Sequence, residues 1–197
     1  MPRASSRSSS IGPRATEART GRTAQVTGLD EAAWIDVYEA LEKPLYNVVY
    51  RWLWDAAESQ DVVQEAFLRC WRSRERIRPD SVKALVYKTA LRLASNQRRR
   101  KRLWRFVPLD AAPELADPMS GDGAAPVSKP LREAVDGLPE HLKRVLLLSE
   151  LAGLSYREIA DVTGVREGTV GSRRSRALAL LRRRLAARGV ELDEDES

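Results

Sequence analysis

Between Leu29 and about Trp104, apolar side chains recur three and four residues apart and no strand-like alternation persists, a pattern that predicts three amphipathic helices. In the stretch from Glu58 to Arg72, Val63, Ala66, Phe67, Cys70 and Trp71 fall on one face and form a core stripe. Asp61, Glu65, Leu68 and Arg72 fall opposite, with Gln64 beside them. A leucine inside a charged face suits a protein interface, although a lone exposed leucine is also ordinary surface. In the next predicted helix, Val82 to about Trp104, Val86, Ala90, Leu93 and Ala94 make the buried stripe, and Lys88, Arg92, Asn96 and Arg99 share the opposite face. The helical period returns from Leu131 to about Arg188, punctuated at Gly153 and Gly164.

The intervening segments differ in composition. From 106 to 130 come Pro108, Pro113, Pro118, Pro126 and Pro130 with Gly121 and Gly123, which disfavour helix interiors and strands alike and predict a flexible linker. Residues 1–28 are rich in Ser, Arg, Ala and Gly with almost no large apolar side chains, so burial cannot offset the entropy of ordering and a disordered basic extension is expected. Residues 189–197 make an acidic tail. The expected fold class is therefore all-α, with two small helical domains, 29–105 and 131–188, joined by the linker. Two tethered modules of this kind can hold separate sites on one partner and gain affinity through effective concentration.

The sharpest local signal lies in the second domain. Ser155 stands where an N-cap belongs and Glu158 follows three residues on, a capping box that starts a helix. Gly164 suits a left-handed helix end, and a further helix can begin near Glu167 after a tight turn. Small Ala160 allows the two helices to approach, while Ile159, Val165 and Val170 can fill the angle between them. This is the layout of a helix-turn-helix, whose second helix enters the DNA major groove. With Val170 centred on its buried side, Ala177, Leu178 and Leu181 join it, and Ser172, Ser175, Arg176 and Arg183 face outward, flanked by Arg173.

Charge sharpens the picture. Lys and Arg number 34 against 28 Asp and Glu, a net charge of +6. The imbalance is local: no acid occurs between Asp80 and Asp110, where Arg98-Arg99-Arg100-Lys101-Arg102 precede Trp104 and Arg105, and none from Gly168 to Val190. A solvated basic helix would look the same in isolation, but a basic face beside a capped helix-turn-helix points to nucleic acid. Trp104 either stacks on an unpaired base or closes the core; the residues alone admit both. One cysteine and one histidine leave no disulfide and no cysteine cage, and Glu58, Asp61 and Glu65 lack the Glu-x-x-His partner of a carboxylate metal site. No nucleophile and base are paired, Gly121-Asp122-Gly123 follows no strand, and Gly164 to Ser172 lacks the end of a P-loop, so no catalytic residue, cofactor or small-molecule substrate is expected. No apolar run approaches the roughly 20 residues that span a bilayer, so the expectation is a reducing cytoplasm without membrane insertion.

The string Gly153-Leu154-Ser155-Tyr156-Arg157-Glu158-Ile159-Ala160, with Gly164-Val165-Arg166-Glu167-Gly168-Thr169-Val170 and Ser172-Arg173, closely resembles the promoter-reading helix-turn-helix of extracytoplasmic-function sigma factors. Gly171 stands where that family often has Lys, and Arg174 where it often has an apolar residue. In the first domain, Asp61-Val62-Val63-Gln64-Glu65-Ala66-Phe67-Leu68 resembles the family helix that docks on the clamp of the polymerase's largest subunit, and Ala84 to Arg100 resembles the segment that reads the minus-ten element. The resemblance implies sigma region 2 in the first domain and region 4 in the second, with core RNA polymerase and promoter DNA as partners and an anti-sigma factor as a further one. Carried onto this sequence, it assigns Asp61, Gln64, Glu65 and Leu68 to polymerase docking. It assigns Lys88, Arg92, Asn96, Arg99 and Arg100 to the minus-ten element, and Thr169, Ser172, Arg173, Ser175 and Arg176 to the minus-thirty-five element. The stretch Arg78 to Ser81 matches in position the family's pocket for a flipped base. A repressor using only the helix-turn-helix, or a nonspecific nucleic-acid binder, remain the alternative readings of the same basic faces.

Overall fold

The computed structural model describes residues 28–104 and 128–190. The expectations placed on the N-terminal extension, on linker residues up to 127 and on the acidic tail from Glu191 lie outside them. The described residues form helices joined by short turns. The first is α1 (Glu31–Leu53), whose N-cap Asp30 accepts a 2.8 Å hydrogen bond from the Ala33 amide. It ends at Trp54, the one non-glycine residue with positive φ (57°) among those described. A side chain in that region costs about 1–2 kcal/mol. Burial of the Trp54 ring and the guanidinium groups of Arg51 and Arg132, each 5.3 Å from it, hold the conformation. Asp55 then caps α2 (Ala56–Trp71) through the Glu58 amide at 3.0 Å, so two residues suffice to reverse the chain.

A 3₁₀ turn at Arg74–Arg76 leads into α3 (Pro79–Trp104), and α1, α2 and α3 pack together around Leu45, Val48, Val49, Trp52, Val63, Ala66, Phe67, Val86, Ala90 and Ala94. Pro79, Asp80 and Ser81 therefore belong to the first turn of α3, where the sequence suggests a base-binding loop. Cys70 is buried beside Thr89, and burial pushes its thiol up, in keeping with a place in the core stripe.

The C-terminal unit comprises α4 (Lys129–Asp136), α5 (Glu140–Glu150), α6 (Tyr156–Thr163) and α7 (Glu167–Ala186). Lys129 and Pro130, placed in the linker by composition, start α4; proline is tolerated there because first-turn amides need no intrahelical partner. Helix α7 packs along α5 through Leu142, Leu146 and Ala177, with Leu138 of the α4–α5 turn in the same cluster.

The two units do not stand apart. One apolar cluster runs from α1–α3 into Val145, Leu147, Leu148, Ile159, Val162 and Val170. Helix α3 meets α6, and the end of α1 meets α5. This corrects the buried stripe expected for α3: Leu93 is only half-buried, while Tyr87 and Leu91 are buried as well. Helix α3 has a second neighbour, and a single-face periodicity argument cannot anticipate one.

Gly164 carries φ 72°, and a Cβ built there meets nothing within 4 Å. Gly164→Ala therefore tests the backbone alone and should cost about 1 kcal/mol, read as a lower denaturant midpoint with unchanged slope.

Candidate functional sites

The capping box forms as expected: the Ser155 hydroxyl accepts from the Glu158 amide at 3.3 Å, and the Glu158 carboxylate accepts from the Ser155 amide at 2.8 Å. Lys83 of α3 adds a 2.7 Å ion pair to the same carboxylate. With the Ser155 groups, that ammonium holds the Glu158 carboxyl at about 2 despite partial desolvation. A depressed carboxyl stabilises the fold fully above its unfolded value near 4.3, and the contribution disappears as pH falls through about 2. Denaturant midpoints of wild type and Glu158→Gln should thus differ at pH 6 and converge toward pH 2.

Gly164 closes α6 with its amide on the Ala160 carbonyl at 2.8 Å, and α7 begins three residues later. Along α7, Ser172, Ser175 and Arg176 are exposed, while Thr169 and Arg173 are half-buried at its edge. Neither Arg173 nor Arg176 meets a carboxylate among the described residues. Arg174 does, pairing with Glu150 of α5 at 2.8 Å. The ring of Tyr156 lies over Gly171, where a Cβ would come within 3.3 Å of it. The two departures from the family string thus fit one another: a small residue admits Tyr156, and an arginine takes a structural ion pair.

On α3, Lys88, Arg92, Asn96, Arg99 and Arg100 are all exposed, so the helical period places them together on the surface. Two members of the arginine-lysine run turn elsewhere. Arg98 pairs with Asp136 at 3.2 Å, and Lys101 bridges Asp55 and Glu58 at 3.2 and 2.8 Å. Their electrostatic role is internal, which charge counting along the chain has no means of seeing. Lys88, Arg92 and Asn96 border a cleft of about 270 Å³ walled on the far side by Arg144, Val162 and Thr163 of the C-terminal unit. The Trp104 side chain lies outside the described atoms.

On α2, Asp61, Gln64 and Leu68 are exposed, and Glu65 is half-buried and paired with Arg69 at 2.6 Å. Leu68 is 49% exposed and Ile35 of α1 is 50% exposed. Together with Trp34, Tyr38, Phe67 and Trp71 they line an open apolar groove of about 440 Å³, edged by Gln64 and Glu31. Its aromatic floor is closely packed, with Trp34 5.8 Å from Trp71 and Tyr38 4.7 Å from Phe67 between ring centroids. The contribution of α1 is one that sequence reasoning misses; Ile35, an apolar residue beside Asp36, is the available signal.

Two family models match the chain in order: Sigma-70 region 2 over residues 37–103 and Sigma-70, region 4 over residues 128–181. The RNA polymerase sigma-H factor of Pseudomonas aeruginosa is 35% identical over 147 residues, covering 68% of this chain and 76% of that protein. The ECF RNA polymerase sigma factor SigE of Mycolicibacterium smegmatis is 28% identical over 173 residues, with 82% of this chain matching 66% of that one. Among solved structures, the sigma factor RpoE of Bartonella quintana, crystallised with the anti-sigma factor NepR, superposes with a TM-score of 0.57 at 22% identity, covering 77% of this chain and 97% of that one. A region 2 bundle, a region 4 helix-turn-helix in the same order and relatives that match over most of the chain agree: the chain belongs to the extracytoplasmic-function group of the sigma-70 family of RNA polymerase sigma factors.

Proposed function

We infer that this chain binds core RNA polymerase through the α2 edge and its groove and directs initiation by reading two promoter elements with α3 and α7. The observation that carries the reading is the separation of surfaces by charge within one chain. Two exposed helical faces present Arg, Lys, Asn and Ser without a carboxylate, and a third presents Asp61, Gln64 and Glu65 around Leu68. Guanidinium forks suit guanine edges and phosphates, so Arg173 and Arg176, with Ser172, Ser175 and Thr169, address the minus-thirty-five element. Lys88, Arg92, Asn96, Arg99 and Arg100 address the minus-ten element and the strand released from it. The apolar groove and its acidic rim address the clamp of the largest polymerase subunit, where Leu68 and Ile35 are the exposed anchors.

In this role the chain carries out no chemistry: binding energy selects and opens the promoter, and the polymerase makes RNA. It works where the polymerase is, in the cytoplasm, and no described helix is long and apolar enough to cross a membrane. The Bartonella relative in its complex makes an anti-sigma factor a natural regulator. Purified core polymerase with this chain as its only specificity subunit should start RNA at discrete sites on genomic DNA. A helix-turn-helix repressor gives no transcript under those conditions, and a nonspecific binder gives starts without a common upstream sequence.

A further inference from the structure

The chain enters α1 at a fixed point. A Cβ built on Gly28 would fall 2.6 Å from the Glu75 carbonyl oxygen, so a glycine lets the backbone pass this close, and the Leu29 amide donates to the Arg74 carbonyl at 3.1 Å. Arg74 in turn lies over the Trp71 ring at 3.7 Å. Trp71 lines the apolar groove between α1 and α2 together with Glu31 and Trp34, so residues 1–27 leave the fold at one end of that groove.

The surroundings of the groove are acidic. Glu31, Asp36 and Glu39 are exposed along α1, and Asp61 is exposed and Glu65 half-buried on α2. Of these, only Glu65 has an ion pair among the described residues, with Arg69. Residues 1–27 carry the opposite sign: Arg3, Arg7, Arg14, Arg19 and Arg22 stand against a single acid, Glu17. Reach matches as well. Arg22 is six residues from Gly28 and Arg19 nine, spans of at most about 20 and 30 Å of extended chain. Asp61 stands ten residues before Trp71 on α2, about 15 Å along the helix. Arg72, Arg76 and Arg78 are exposed around the exit turn and repel a basic segment, which leaves the acidic side as its favourable course.

We propose that residues 1–27 are the intramolecular occupant of this face: Arg19 and Arg22 lie on the carboxylates that rim the groove, and the segment competes with polymerase for the surface. The inference rests on the docking reading above. A short tether gives the segment an effective concentration in the millimolar range, so contacts too weak to hold a separate molecule suffice. A second copy or a foreign chain lacks that advantage. Exposed guanidinium–carboxylate pairs are individually weak and screened by salt, so polymerase displaces the segment and meets only a lowered apparent affinity.

Replacing Arg14, Arg19 and Arg22 together by Gln removes the charge and touches no packed residue. In titrations of labelled core polymerase at low salt, R14Q/R19Q/R22Q should bind about three- to tenfold more tightly than wild type. The difference should vanish in roughly 0.5 M salt. Disulfide capture reads the position directly. Thr20→Cys is combined in one full-length chain with Gln64→Cys at the groove edge, and in another with Ser81→Cys, exposed at the start of α3; Cys70 is buried and takes no part. At low salt the T20C/Q64C pair should close at least about fivefold faster than the T20C/S81C pair, and adding Asp61→Arg with Glu65→Arg should erase the preference. Equal capture at both sites, capture between chains instead of within one, or core affinity unmoved by R14Q/R19Q/R22Q at both salts overturns the proposal. So does a variant whose core affinity is unchanged while its holoenzyme holds promoter DNA less tightly, which assigns the segment to phosphate. Wild type that never binds core polymerase refutes the docking reading instead, and disulfide capture then decides the occupancy alone.

Discussion

Reversing charge at Asp61 and Glu65 together (Asp61→Arg, Glu65→Arg) should weaken binding to core polymerase by about 100-fold or more. Both lie on the outward face of α2, Asp61 exposed and Glu65 half-buried, so neither change disturbs the core stripe of Val63, Ala66, Phe67 and Cys70. Asp61 has no ion-pair partner among the described residues, whereas Glu65 gives up an exposed pair with Arg69. Exposed pairs are worth only about 0–1 kcal/mol, so the cost to folding is small. The cost to docking is larger, because a charge that pairs across an interface becomes one that repels, and like-charge juxtaposition costs several kcal/mol. At about 1.4 kcal/mol per tenfold, two such sites give two orders of magnitude or more. Leu68→Ala should add a loss independent of salt, since it empties the rim of the aromatic groove. Titration of labelled core polymerase at two salt concentrations separates the two contributions, and unchanged thermal unfolding of the free variant excludes misfolding.

Arg173→Ala with Arg176→Ala should lower activity at promoters that depend on the minus-thirty-five element by roughly 30-fold to 1,000-fold. A bidentate arginine bonded to a base edge is worth about 1–3 kcal/mol, and each phosphate that is no longer neutralised lowers the salt slope by about one. Both side chains lack a carboxylate partner among the described residues, so they reach DNA without first breaking an ion pair. Arg174, only one position from Arg173, supplies the internal control. Its guanidinium is held by Glu150, so Arg174→Ala should lower stability slightly and leave base preference unchanged. Equal losses at Arg173, Arg174 and Arg176 would mean that the face acts through charge alone, with no base readout. Electrophoretic binding to point-substituted promoter fragments distinguishes the outcomes.

The helix-turn-helix is legible in the sequence because its signals are local: Ser155 with Glu158, and Gly164 at φ 72°, each fix a turn through groups within four residues. The outward placement of Lys88, Arg92, Asn96 and Arg99 is legible for the same reason, since one helical period determines it. What escapes is long-range. Tyr87 and Leu91 are buried because α6 covers them, and the 3.6-residue period assigns a helix one buried face, not two. Arg98 and Lys101 look like their neighbours in sequence, and only the positions of Asp136, Asp55 and Glu58 in space withdraw them from the DNA surface. Lys143 is the extreme case. In the string Leu142-Lys143-Arg144 it reads as a solvated base, yet it is the charge that ties the two units together. Of the docking groove, the α2 side is legible from Leu68 and the α1 side is not, because Ile35 and Leu68 are distant in sequence and adjacent only once the bundle forms.

The most direct test of the whole account is to sequence the 5′ ends of transcripts made by purified core polymerase on genomic DNA, with wild type and with the Asp61→Arg/Glu65→Arg variant as the only specificity subunit. The account predicts discrete starts sharing two upstream elements at fixed spacing for wild type and none for the variant. Starts scattered without a common upstream pair, or equal initiation by both proteins, would contradict it.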